Sequence, residues 1–133
     1  MYSSQNEQDT RMICRAAMVP DIEPSDSAEA KEYMIKAFDI SEEYDTPVIL
    51  RTTTRLSQSQ GLVELGERIE REPVPYERNW NKYVVVPANM KPRHIVVEEN
   101  MNRLPEDASS LSLNTVSYND TSIGFITCGI AYK

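Results

Sequence analysis

The sequence predicts an α/β fold, and three observations carry that expectation. Ala28–Tyr44 is a long amphipathic helical stretch, with Ala30, Met34, Ala37 and Phe38 repeating at a helical period. Val48-Ile49-Leu50 follows it after a tight turn as a continuous apolar run, the pattern of a strand buried on both faces of a parallel sheet. Helix, turn and buried strand make half of a βαβ unit.

The remaining elements are read in chain order. Residues 1–9 are a polar stretch, and residues 10–19 (TRMICRAAMV) form a short helix stopped by Pro20. Asp21-Ile22-Glu23-Pro24 is short and β-like. Ser25-Asp26-Ser27 opens the long helix, with Asp26 and Glu29 at capping-box spacing. Glu32 and Lys36 add a favourable i,i+4 pair on its polar face. Asp45-Thr46-Pro47 ends it. The strand at 48–50 is followed by Arg51-Thr52-Thr53-Thr54-Arg55 at its carboxyl end, the edge where ligands bind in open α/β sheets.

From residue 56 the character changes. Gly61, Gly66, Pro73 and Pro75 interrupt a charged segment, so 56–86 reads as a connection with little regular structure. The GERIERE charge run is a solvated face. Tyr83–Val86 is extended and stopped by Pro87. Asn89 caps a helix from about Met90 to Arg103, with His94, Val97, Met101 and Leu104 on one face. A helical turn at 105–110 and an extended LNTVSY come next. Ser122–Thr127 reads as a strand, and the chain ends where a strand-to-helix turn would begin, as if cut.

Composition excludes several functions. Fourteen basic residues against 21 acidic ones leave a net charge of −7, which disfavours nucleic acid or an anionic membrane surface as partner. No apolar run reaches the roughly 20 residues of a spanning helix, and the N-terminus is too polar for a signal peptide. Cys14 and Cys128 are expected to be free thiols in a reducing, cytoplasmic setting. One histidine, His94, rules out a multi-histidine centre within the chain and reads as a packing residue. No GxGxxG or GxxxxGK[ST] loop is present. No catalytic residue and no metal ligand is assigned.

Several segments together resemble one family. SSQNEQD at 3–9, EPSDSAEAKEY at 23–33, PVILRTTTR at 47–55, VPAN at 86–89 and GFITCGIAY at 124–132 are similar, in the same order, to the alpha subunit of indolepyruvate ferredoxin oxidoreductases. These are thiamine-diphosphate-dependent 2-oxoacid:ferredoxin oxidoreductases. The resemblance implies an internal fragment of a longer subunit. Residues 1–55 would be the second half of a doubly wound pyrimidine-binding (Pyr) module. Residues 56–120 would be a connecting segment with one helix, and 121–133 the start of a transketolase C-terminal-like domain. It further implies thiamine diphosphate, magnesium and [4Fe–4S] clusters in the intact subunit, but none held by this stretch, which lacks the GDG segment and the cysteine clusters. The fragment alone would then be inactive. Partners implied are the rest of the alpha subunit, a beta subunit, ferredoxin, CoA and a 2-oxoacid.

Within that frame the loop carrying Ser4, Gln5, Asn6, Gln8 and Asp9 would face substrate and cofactor, its amides and hydroxyls bonding a 2-oxo carboxylate. Arg51, Thr53 and Arg55 are candidates at the strand end, the guanidinium fork suiting a carboxylate or diphosphate; the alternative for Arg51 is a structural ion pair with a helix acid. Two positions depart from the family, Tyr2 and Gln58, where His is common. The competing reading is a non-catalytic acidic α/β interaction module. A half-module with open sheet edges is expected to self-associate, whereas a monodisperse, thermally stable monomer would favour the stand-alone module.

Overall fold

The computed structural model describes residues 9–108 and 110–133. They divide into two units, one of the chain up to Glu64 together with Thr115–Lys133, the other Leu65–Asn114.

In the first unit, helix α1 (Arg11–Ala17) ends where Met18 turns left-handed, at φ 56°, its N–H returned to the carbonyls of Cys14 and Arg15. The last helical residue, Ala17, is thus three positions before Pro20. Strand β1 (Asp21–Ile22), helix α2 (Ser27–Tyr44) and strand β2 (Ile49–Leu50) then form a complete βαβ crossover. The strands pair in parallel, Asp21 opposite Ile49 and Ile22 opposite Leu50. The Ile49 N–H donates to the Pro20 carbonyl and the Arg51 N–H to the Ile22 carbonyl, both at 2.9 Å. The fold class is thus mixed α/β with a two-stranded parallel sheet among the described residues.

Helix α2 begins as its sequence dictates. Asp26 accepts from the Glu29 N–H at 2.9 Å, and the Glu29 carboxylate reaches back to the N–H and hydroxyl of Ser25 at 2.8 and 2.7 Å. Reciprocal capping of this kind satisfies donors that the first turn leaves open. The Lys36–Glu32 pair forms at 2.6 Å. Asp45 ends the helix at φ 50° with its N–H on the Ser41 carbonyl, a conformation Asp tolerates.

The face that α2 buries differs from the expected stripe. Ala37, Ile40 and Tyr44 are buried, whereas Met34 and Phe38 lie outward, Phe38 with 63% of its surface exposed. Both sets repeat at i, i+3, i+4 or i+7, so periodicity alone does not choose between them; contact with β2 does. Ile49 is likewise half-exposed, at 38%, so β2 is not covered on both faces. With Cys14, Ile22, Pro24 and Leu56, these residues make a small core.

Past β2, Thr53 caps a single helical turn, α3 (Thr54–Ser57), by accepting from the Leu56 N–H at 3.2 Å. The expected strand at Ser122–Thr127 is absent: the segment is irregular, and Ile123, Phe125 and Ile126 are exposed. Strand pattern without a partner strand makes no ladder. A 3-10 turn at Gly129–Ala131 follows.

In the second unit residues 65–79 have no regular structure, as expected. Asn79 caps a turn, α4 (Trp80–Tyr83), that the extended reading of Tyr83 did not foresee. Helix α5 runs over Pro87–Asp107, longer at both ends than expected. Its N-cap is Val86 with Pro87 in the first position, where the missing N–H is no loss. Asn89 is therefore not a cap; its side-chain amide donates to the Val84 carbonyl at 3.0 Å and ties α4 to α5. The expected turn at 105–110 is mostly the end of α5, and LNTVSY forms no strand. His94 is exposed and pairs with Glu98 at 3.3 Å instead of packing.

Ile40→Ala is expected to cost about 2–5 kcal/mol, the range for a buried large-to-small change. Phe38→Ala is expected to stay within about 0.5 kcal/mol. Urea unfolding of both variants checks the assignment of the α2 face, and equal costs would contradict it.

Candidate functional site

Parallel pairing in register places the residue after β1 beside the residue after β2, so Glu23 and Arg51 meet at the carboxyl edge of the sheet. Their ion pair, Arg51 Nη1 to Glu23 Oε2, is 2.7 Å long, and the side chains are only 16% and 13% exposed. Arg51 Nε donates to Thr10 Oγ at 3.2 Å, and Nη2 lies 3.9 Å from Asp9 Oδ1. The guanidinium thus meets oxygens of three residues from two separate places in the chain. Its acid partners come from the β1–α2 turn and from the approach to α1, not from a helix.

Asp9 is itself held by Arg11. Arg11 Nε donates to both carboxylate oxygens, at 2.9 and 3.1 Å, Nη2 to Oδ2 at 2.7 Å, and the Arg11 N–H to Oδ1 at 3.0 Å. These bonds from Arg11 hold the Asp9 carboxyl at about 2, and the same contact raises the Arg11 guanidinium further above its ordinary value. The carboxyl of Asp21, on β1, is raised by burial, with the charge of Arg51 opposing, and its Oδ1 is enclosed without a hydrogen-bond partner among the described residues.

The C-terminal turn reaches the same edge. Gly129 has φ +56°, which favours glycine, and a Cβ there would collide with the Glu23 carboxylate. Arg11 Nη1 approaches Cys128 Sγ at 3.7 Å. Lys133 pairs with Asp26 at 3.1 Å; the Asp26 carboxyl is lowered first by the Glu29 N–H and then by Lys133.

Of the sequence candidates, Arg51 and Asp9 come together here. Thr53 caps α3, and Arg55 lies exposed on its last turn. Ser4, Gln5, Asn6 and Gln8, and also Tyr2, lie outside the described residues. Gln58 is the exposed residue after α3. Cys14 is buried and Cys128 exposed, both as free thiols. Among the described residues no group of three His, Cys, Asp or Glu side chains is placed to hold a metal ion, and no helix is long and apolar enough to cross a membrane. Sequence reading missed Thr10, Arg11, Glu23 and Gly129. For Glu23 a signal existed: it follows the β-like pair at 21–22 as Arg51 follows the apolar run.

Asp9→Asn is expected to flatten the acid limb of stability. A depressed carboxyl contributes stability that is complete above its ordinary value of 3.8 and lost as pH falls through about 2. Urea unfolding between pH 5 and pH 2, on the order of one step per half unit, reads the change in slope. An unchanged slope would mean that the Arg11–Asp9 contact is not made in solution.

Along its whole length the chain is similar to the indolepyruvate oxidoreductase subunit IorA of several archaea. Identity is 45% over 137 residues with that of Methanothermobacter marburgensis, covering 100% of this chain and 22% of the relative. With that of Archaeoglobus fulgidus it is 41% over 134 residues, covering 99% and 22%. With that of Pyrococcus horikoshii it is 40% over 139 residues, again covering 99% and 22%. The chain therefore spans 22% of the length of these relatives. No protein-family profile matches the chain, and no solved structure does.

Proposed function

From the premise that this chain belongs to the family of indolepyruvate oxidoreductase IorA subunits, we propose that it is a supporting part of such an oxidoreductase. The activity proposed for the whole protein is oxidative decarboxylation of an aryl pyruvate, indolepyruvate first, to the acyl-CoA, with electrons passed to ferredoxin in the cytoplasm. The observation that carries this reading is the end-to-end identity of 38–45% with IorA subunits. The βαβ unit supports it: its carboxyl edge is where an open α/β sheet takes a ligand, and the polar stretch 4–9 leads into that edge at Asp9. On this reading residues 1–55 are part of a Pyr module, and a beta subunit is the further partner.

Thiamine diphosphate with magnesium requires metal-binding acids or amides, and a [4Fe–4S] cluster requires cysteine thiolates. The described residues do not fit either group. Their acids form no metal-holding cluster, Glu23 is engaged by Arg51, and of the two cysteines one is buried and the other exposed. No step is therefore assigned to this chain's residues through those cofactors. What the residues do is structural and electrostatic: they hold a charged, partly buried edge in one arrangement.

Two measurements test the proposal. In calorimetric titration with thiamine diphosphate and magnesium, the Methanothermobacter marburgensis subunit is expected to bind and this chain alone is not. Micromolar binding by the chain alone would show that its residues contribute far more than support. In the second, this chain replaces the matching stretch of that subunit; the folded chimaera, with its partners, is expected to reduce ferredoxin on addition of indolepyruvate and CoA. A folded chimaera that binds the cofactor yet is inert to every 2-oxoacid would favour a non-catalytic module.

A further inference from the structure

Arg51 was a candidate to bind a carboxylate or diphosphate directly. Its surroundings assign it another task. Nη1 meets Glu23 at 2.7 Å, Nε meets Thr10 at 3.2 Å, and Nη2 faces Asp9 at 3.9 Å. The backbone N–H of the same residue closes the sheet on Ile22. Every edge of the guanidinium is turned toward an oxygen of this chain, and the side chain is largely buried.

We propose that Arg51 is a positioning residue that clamps Thr10 and Asp9 to the carboxyl edge of the sheet. The clamp is independent of the oxidoreductase reading above. Geometry makes arginine specific here. Its planar fork presents donors in several directions at once, whereas a lysine ammonium is a single point on a flexible stem. A lysine at 51 keeps the charge opposite Glu23 and loses the simultaneous hold on Thr10. The clamp reaches helix α1 because the Thr10 carbonyl accepts from the N–H groups of Ile13 and Cys14, both at 3.0 Å.

The test separates stability from positioning in this chain, without ligand. Arg51→Met, Arg51→Lys and the unaltered chain are compared by thermal unfolding and by amide hydrogen exchange. Arg51→Met is expected to lower the Tm, since it leaves Glu23 partly buried and unpaired. Arg51→Lys is expected to recover most of that loss. Yet in Arg51→Lys exchange at Ile13 and Cys14 should rise about tenfold, while Ala30, at the start of α2, changes less than about twofold. Exchange at Ile13 and Cys14 that stays within about twofold, or that rises equally at Ala30, would overturn the clamp. So would a lysine variant as unstable as the methionine one, since faster exchange would then follow from lost stability and not from lost positioning. Because no substrate enters the experiment, its failure is distinct from failure of the oxidoreductase reading: an intact clamp beside an inert chimaera would discard only the latter.

Discussion

The interaction on which the first unit depends is the ion pair between Glu23 and Arg51. Taking two charges most of the way out of water costs several kcal/mol per ion unless each finds a partner with good geometry and its other polar atoms are bonded. Here the cost is met by the register of the sheet. Ile22 pairs with Leu50, so the next residue of each strand meets its counterpart without further adjustment of the backbone. The remaining guanidinium nitrogens turn to Thr10 and Asp9.

Three other features adjoin that pair. A side chain at Gly129 would occupy the space of the Glu23 carboxylate. The turn containing Glu23 leads directly to the cap of α2, where Ser25, Asp26 and Glu29 bond one another. Asp26 also holds Lys133, so the C-terminal turn is attached at two points, against Glu23 and at the cap. Four stretches distant in sequence, near residues 9–11, 23–29, 51 and 128–133, are thus joined mainly by charge and hydrogen bonds. Apolar burial is modest by comparison, resting on Ile22, Ala37, Ile40, Tyr44 and Leu56 with Cys14.

An edge built in this way has a functional consequence under the proposed oxidoreductase reading. A site for a carboxylate substrate gains from polar groups held in place before the ligand arrives, because binding then costs less ordering. Charges already satisfied within the chain do not compete for a ligand; they hold the backbone at Asp9, Thr10 and Glu23 in place. The exposed apolar residues of α2, Met34, Ile35 and Phe38, lie on the helix face turned from β2 and take no part in that arrangement.

Much was legible in the amino-acid sequence because it was local. The cap at Asp26, the i,i+4 pair of Glu32 and Lys36 and the stop at Asp45-Thr46-Pro47 each depend on neighbours within a turn or two, and the order of motifs pointed to the family. What tertiary structure alone decided was non-local. Two apolar stripes on α2 are equally periodic, and only packing against β2 selects Ala37, Ile40 and Tyr44. Ser122–Thr127 has a strand's composition but, among the described residues, no neighbour to complete its ladder. Arg51 looked free to bind a ligand until Glu23, 28 positions earlier, was brought beside it. Spacing along the chain carries no information about that meeting; parallel pairing, a property of two segments together, does.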